Sequence, residues 1–222
     1  MNFEVNIIYK NIRNIKISLS KDNVVTVTSP KEVTRKEIFK LLESKKAWLD
    51  KHAKRLSMHQ QFNYENYDLR EGSYVYFLGR EYLVKLTESK QNLICEHEDC
   101  LEFLLNQSVI DNNEFKLKLL EEFYRDRADI ILNNLVAKFL KITNQEIQRV
   151  SIKKTKTRWG SCNYIKKTIN LNFNLILRDI KAIEYVVLHE IAHLTHPNHS
   201  REFYSYIASY MPDWKIREKR LK

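Results

Sequence analysis

Apolar and polar residues alternate with a period of two over residues 3–9, 14–20 and 24–28, as in Val24-Val25-Thr26-Val27-Thr28. That period belongs to half-buried strands. Pro30 breaks the pattern. Thr34 and Glu37 then have the spacing of a capping box, with Val33 and Ile38 placed to form a staple across it. Apolar residues follow at Ile38, Leu41, Leu42, Trp48, Leu49, Ala53 and Leu56, which is helical spacing and predicts one long helix over 34–58. Two short runs, 74–78 and 81–86, flank Gly79-Arg80 and predict a β-hairpin. Residues 92–95 and 100–105 form a weaker second pair.

A long amphipathic helix is expected over about 113–141, with Phe115, Leu119, Leu120, Phe123, Ile131, Leu135 and Phe139 as its apolar positions. Residues 147–152 predict a strand. The stretch "TINLNFNLIL" (168–177) alternates strictly, Ile169, Leu171, Phe173, Leu175 and Leu177 against asparagines 170, 172 and 174. One buried and one polar face predict a strand at a surface. Asp179 is placed to cap a helix running to about His196. Its residues Ile183, Val186, Val187, Leu188, Ile191, Ala192 and Leu194 cover most of the circumference, so it should be buried on nearly all sides. The fold class expected is α+β. Residues 1–108 form a strand-rich N-terminal region holding the helix 34–58, and residues 109–222 form a second domain.

Composition narrows the class. With 43% hydrophobic and 30% charged residues, the chain suits a soluble globular protein with a proper core. No apolar run approaches the ~18 residues of a transmembrane helix, so no membrane partner is expected. The N-terminus reads as a strand and lacks a signal-peptide cleavage site. Cys95, Cys100 and Cys162 show no framework spacing, which argues for a reducing cytoplasm. The formal net charge of +10 is uneven. Residues 151–170 hold six basic and no acidic side chains, and residues 31–55 hold nine basic against four acidic. Attraction to nucleic acid and simple solvation of a lysine-rich surface both account for such runs.

A buried helix carrying His189, Glu190 and His193 requires a reason, since ionisable groups in a core must be paired or bound. His189 and His193 are one turn apart on one face, a spacing at which two neutral imidazoles share a tetrahedral Zn²⁺. Glu190 sits about 100° around the helix, off the ligand face but within reach of water beside it. This is the H-E-x-x-H pattern of zinc peptidases. A catalytic zinc usually takes a third protein ligand, and His196 and His199 are the candidates. His196 lies roughly 4–5 Å farther along the axis, past the metal, and Pro197 stops the helix there. A turn through Asn198 can fold His199 back. His199 is therefore the preferred third ligand, with Ser200 capping the next helix and His196 packing at the helix end.

The blocks "KTRWGSCN" (156–163), "INLNFNLIL" (169–177), "YVVLHEIAHLTHPNHSREFY" (185–204) and "PDW" (212–214) together resemble the YgjP-like metallopeptidase domain family, predicted zinc-dependent hydrolases distantly related to SprT-like DNA-associated proteases. The resemblance is specific over about 151–215. It implies a minimal zincin-like metallopeptidase domain over 109–222 with a buried HExxH helix. It also implies His189, His193 and His199 as metal ligands, Glu190 as the catalytic residue and Zn²⁺ as cofactor.

The chemistry expected is hydrolysis of a polypeptide, with Glu190 taking a proton from water and passing it to the leaving amine. If the strand 169–177 is a sheet edge, an extended substrate can add to it. Arg158 and Trp159 are candidate substrate contacts, although Trp159 before Gly160 also suits packing under a turn. Cys162 reads as a small hydrophobe rather than a fourth ligand. Two other readings stand beside the peptidase. One is a hydrolase of another substrate, such as a nucleotide phosphoanhydride, on the same metal. The other is a SprT-like protein that holds nucleic acid through its basic surface.

Overall fold

A computed structural model describes residues 3–20, 24–50, 53, 64–155 and 158–221. By compactness the chain divides into Met1–Asn66 and Tyr67–Lys222. The strands expected at 74–105 fall in the second unit.

In the first unit β3 (Val24–Ser29) is the central strand, parallel to β1 (Glu4–Tyr9) and antiparallel to β2 (Lys16–Leu19). Its alternation puts Val25 and Val27 on one face, where they pack with Ile38, Leu42 and Leu49. Helix α1 (Arg35–Ser44) opens with the full capping box: Thr34 accepts from the Glu37 amide and Glu37 accepts from the Thr34 amide. The single helix expected over 34–58 is interrupted. The Ser44 hydroxyl donates to the Leu41 carbonyl at 2.7 Å, which competes with the helical ladder. The chain turns at Lys45, and residues 46–50 are helical again. Residues 51–52 and 54–58 of that expectation lie outside the described residues.

The second unit holds two sheets. The first has the order β4 (Tyr74–Phe77), β5 (Arg80–Glu88), β7 (Cys100–Leu105), β6 (Leu93–Glu96), with β5 and β7 parallel. The β4–β5 hairpin turns on Leu78-Gly79, not on Gly79-Arg80, because Phe77 pairs with Arg80. Both turn residues have positive φ, 48° and 75°, the geometry a tight hairpin demands. Two contacts hold Leu78 and Gly79 there. The Leu78 amide donates to the Ile176 carbonyl at 2.8 Å. A Cβ on Gly79 would stand 2.7 Å from the Asp179 backbone. Replacing Gly79 by Ala combines a left-handed strain with a backbone clash, and should cost about 1–3 kcal/mol or more. Urea titration of the variant should show a lower midpoint at unchanged slope.

Helix α2 (Asn113–Thr143) is capped by Asn112 at one end and by left-handed Asn144 at the other. Its buried row runs Lys116, Leu120, Tyr124, Ala128, Leu132 and Val136. Phe115, Leu119, Phe123 and Ile131 of the expected face are only half-buried. The row is displaced because two amphipathic side chains bury their stems and spend their polar ends on the preceding sheet region. Lys116 donates to the Leu69 carbonyl at 2.5 Å and the Tyr124 hydroxyl to the Tyr76 carbonyl at 2.6 Å.

The last sheet has β10 (Thr168–Asn172) between parallel β8 (Arg149–Lys153) and antiparallel β9 (Gly160–Asn163). This corrects two expectations for 168–177. The strand ends at Asn172, whose side-chain oxygen accepts from the Asn174 amide and starts a 3-10 turn over Phe173–Leu177. And β10 is central, so β8 and β9 are the edges. The apolar residues of the stretch are all buried, as their alternation demanded. Helix α3 (Ile180–Ala192) follows, capped by Asp179. Helices α4 (Arg201–Tyr210), capped by Ser200, and α5 (Trp214–Lys219) complete the unit. Arg217 ties Glu184 to Asp213, Lys138 reaches Glu184 at 2.8 Å, and Arg220 reaches Asp179 at 2.8 Å. These pairs fasten α3 to α2 and α5. Among the described residues no helix is long and apolar enough to cross a membrane.

Candidate metal centre

Helix α3 buries Ala182, Ile183, Val186, Val187, Leu188, Ile191 and Ala192, so its last turn is set rigidly in the core. His189 lies in that turn and His193 is its C-cap. The chain then tightens: the amides of Thr195 and His196 both reach the Ala192 carbonyl. Past Pro197 it reverses, with the Ser200 amide on the Asn198 carbonyl at 2.8 Å. The reversal brings His199 Nε2 to 3.0 Å from His189 Nε2. Ligand atoms of His189, His193 and His199 all lie within 4.8 Å of one another. Their rings stand edge or tilted to each other, with centroids 4.7 to 4.9 Å apart. Phe203, fully buried, lies against all three.

The protons on these rings are constrained. His193 Nδ1 is 3.1 Å from the His196 carbonyl, which only accepts, so Nδ1 carries the hydrogen and Nε2 keeps its lone pair. Burial pushes His189 down to about 3, with His193 and His199 adding to the effect, and burial also lowers His193. His189 and His193 are therefore neutral imidazoles, and His199 brings a third ring nitrogen to the same point. That donor set suits a borderline cation of the zinc type. His196 stands apart, its ring 5.3 Å from that of Tyr206.

Glu190 is 6% exposed. Burial raises its carboxyl to about 7 against the opposing charge of Arg158. Gly160 at the start of β9 makes room for it, since a Cβ there would lie 2.7 Å from Glu190 Cγ and Oε1. Cys162 on the same strand is pushed up to about 11 by burial and by Glu190, so it stays a neutral thiol. Arg158 is exposed. Trp159 is half-buried, with the buried Arg178 guanidinium 5.0 Å above its ring. Trp159 thus makes a packing contact of the kind its place before Gly160 allowed, and its half-exposed ring keeps a surface for the expected substrate contact.

Three residues of the site carry no mark in the sequence reading: Gly160, Phe203 and Tyr185. Gly160 is one of only three glycines, which was a usable signal. Phe203 follows His199 by four on the next helix, and nothing in its type marks it. Tyr185, one turn before His189, places its hydroxyl 3.4 Å from His189 Nδ1 and stacks on Trp214.

The raised carboxyl of Glu190 sets a pH dependence in metal-free protein. Its folded value of about 7 lies above the ordinary 4.5, so the native state prefers the protonated form. The charged form destabilises the fold as pH rises through 7, and no penalty remains below 4.5. Glu190→Gln should therefore raise the melting temperature of the chelator-treated protein at pH 8. The gain over wild type should vanish by pH 4.5 in parallel melts.

A family model described as YgjP-like, metallopeptidase domain, matches residues 13–222. The chain belongs to the YgjP-like metallopeptidase family. The resemblance carried by "KTRWGSCN" and "YVVLHEIAHLTHPNHSREFY" thus extends over nearly the whole chain. Membership in the YgjP-like family implies a metal ion. Among solved structures, similarity is found to the metallopeptidase zymogen of Pyrococcus abyssi abylysin, at 22% identity over 40% of this chain and 90% of that one, with a TM-score of 0.38. The zymogen of Methanocaldococcus jannaschii jannalysin is similar at 24% identity over 40% and 86%, with a TM-score of 0.37. No curated protein matches the chain.

Proposed function

We propose that this chain is a zinc-dependent peptidase in which His189, His193 and His199 hold Zn²⁺ and Glu190 is the general base. The observation that carries the reading is the convergence of three imidazoles within 4.8 Å at the end of a core helix. The H-E-x-x-H spacing on that helix then assigns the roles. When bound, zinc supplies Lewis acidity toward a carbonyl and toward water. Glu190, buried beside Gly160, holds a proton near neutrality and so accepts it and returns it to the leaving amine. His193 is oriented by the His196 carbonyl, and Tyr185 meets His189 Nδ1, which leaves Nε2 of both toward the ion. The substrate strand pairs with β9, an edge strand whose Gly160 touches Glu190, rather than with central β10. Free Cys95, Cys100 and Cys162 suit a reducing cytoplasm.

The test is incubation of the purified full chain with unstructured polypeptide and, separately, with nucleoside triphosphates. Each is run as purified, with chelator, and with zinc restored. Chelator-sensitive, zinc-restored cleavage of polypeptide alone supports the reading. Triphosphate hydrolysis with no peptide cleavage transfers the same centre to a different substrate and overturns it.

A further inference from the structure

Five aromatic rings close a circuit that includes two of the candidate metal ligands. His189 stands 5.7 Å from Tyr185 between ring centroids, Tyr185 stacks on Trp214 at 6.2 Å, Trp214 on Tyr204 at 4.9 Å, and Tyr204 on His199 at 6.3 Å. His199 returns to His189 at 4.9 Å. The planes of Tyr185 and Tyr204 lie within 12° and 18° of the Trp214 plane, and every separation is one at which rings attract.

The circuit joins three helices. Tyr185 precedes His189 by one turn on α3, Tyr204 follows His199 on α4, and Trp214 opens α5. Tyr185 is buried, and Tyr204 and Trp214 are half-buried. The two ligands have unequal support. His189 sits in the last turn of a core helix, whereas His199 is exposed on the turn between helices. Besides the other two imidazoles, its ring meets Phe203 and Tyr204. Tyr204 in turn rests on Trp214, which is itself anchored. The Trp214 amide donates to the carbonyl of buried Met211 at 3.1 Å. Arg217, three residues on, pairs with Asp213 at 2.8 Å and with Glu184, the residue before Tyr185.

We infer that Trp214 is a positioning residue for the metal: stacked with both Tyr185 and Tyr204, it holds His199, the ligand on the turn, in register with His189, the ligand on the core helix. The inference rests on the assignment of these histidines as ligands. Its physical basis is entropy. A ligand on an exposed turn gives up rotamer freedom when the ion binds, and that cost is subtracted from the affinity. A ring that is already stacked has given it up beforehand. Tyr185 adds a second restraint through the same tryptophan, because its hydroxyl lies 3.4 Å from His189 Nδ1 and the stack sets its orientation. The indole face is broad enough to meet both tyrosines, which a smaller side chain could not do.

The zinc affinity of the full chain is measured by competition with a chromophoric chelator, and Co²⁺ in place of zinc gives a visible spectrum that reports ligand geometry. Trp214→Ala should weaken zinc binding by roughly 10- to 100-fold and alter the cobalt spectrum. Trp214→Phe, which keeps a ring to stack, should recover most of the affinity. Tyr204→Leu should weaken zinc binding on its own but add little to Trp214→Ala, because the same path is already cut. Met211→Ala is the structural control. It opens a cavity beside the same helix and should lower the melting temperature of the chelator-treated protein, with zinc affinity and cobalt spectrum unchanged. Wild-type zinc affinity in Trp214→Ala, or a loss matched by Met211→Ala, overturns the inference and leaves the peptidase standing. So does a raised KM at unchanged zinc affinity, which would make the stack a surface for substrate. Zinc binding that depends on Trp214 as expected, without cleavage of polypeptide, would sink the peptidase and keep the positioning role. A wild-type chain that binds no zinc would sink both.

Discussion

Glu190→Gln should leave zinc near one equivalent per chain and reduce peptide hydrolysis by about 10²–10⁴-fold. The two halves of this expectation have different origins. Gln is isosteric, fits the space beside Gly160, and carries no charge that burial would penalise. The fold and the three imidazoles are therefore untouched. The amide cannot accept and return a proton near neutrality, as a carboxyl raised to about 7 can. Elemental analysis and progress curves on the same preparation check both halves. Zinc loss in this variant would make Glu190 a ligand and remove it from the role of base.

The second large effect distinguishes two histidines three positions apart. His199→Ala leaves His189 and His193 alone at the end of α3, and zinc retention against a weak chelator should fall by at least ~100-fold, with activity lost. His196→Ala should keep its zinc. The contact of His196 with the centre is its main-chain carbonyl on His193 Nδ1, which alanine preserves, and its ring only touches Tyr206. The reverse outcome would mean that the chain does not reverse at Pro197–Asn198 as described.

The clearest sequence signals were those with a local cause. The Thr34–Glu37 capping box, the alternation of Val24–Thr28 and the helix on Asp179 each follow from residues a few positions apart, and each is present. The misjudged elements depend on distant partners. The stretch 168–177 keeps its apolar residues buried, yet the strand ends at Asn172, itself buried, because that side chain also bonds Thr155 and Arg158. Periodicity registers which residues are buried and not where the ladder stops. The order of β8, β10 and β9 depends on pairings absent from the pattern of any one strand, so the central place of β10 was illegible. In α2 the pattern points to the face of Phe115 and Phe123, because lysine and tyrosine at 116 and 124 count as polar unless their acceptors at Leu69 and Tyr76 are known. At the candidate centre, helical geometry and one proline were enough to bring His189, His193 and His199 together on paper. The space for Glu190 required a residue thirty positions upstream, Gly160, whose value lies in what it lacks.

The hairpin turn at Leu78-Gly79 bears on how small an autonomous unit can be. It rests on Ile176 and Asp179, immediately before the helix that carries His189 and His193. Phe77, just ahead of it, stacks on Tyr124, and Leu69 receives the buried amine of Lys116. A polypeptide beginning at 109 contains every candidate catalytic residue, but it lacks the surface on which α2 and the start of α3 are laid. Lys116 would then be left without its carbonyl, and the row through Tyr124 would face water. Such a fragment should be soluble poorly and folded poorly, whereas one beginning at Tyr67 keeps these supports. The least portion of chain able to bring the three imidazoles together thus includes some forty residues that contribute no chemistry of their own.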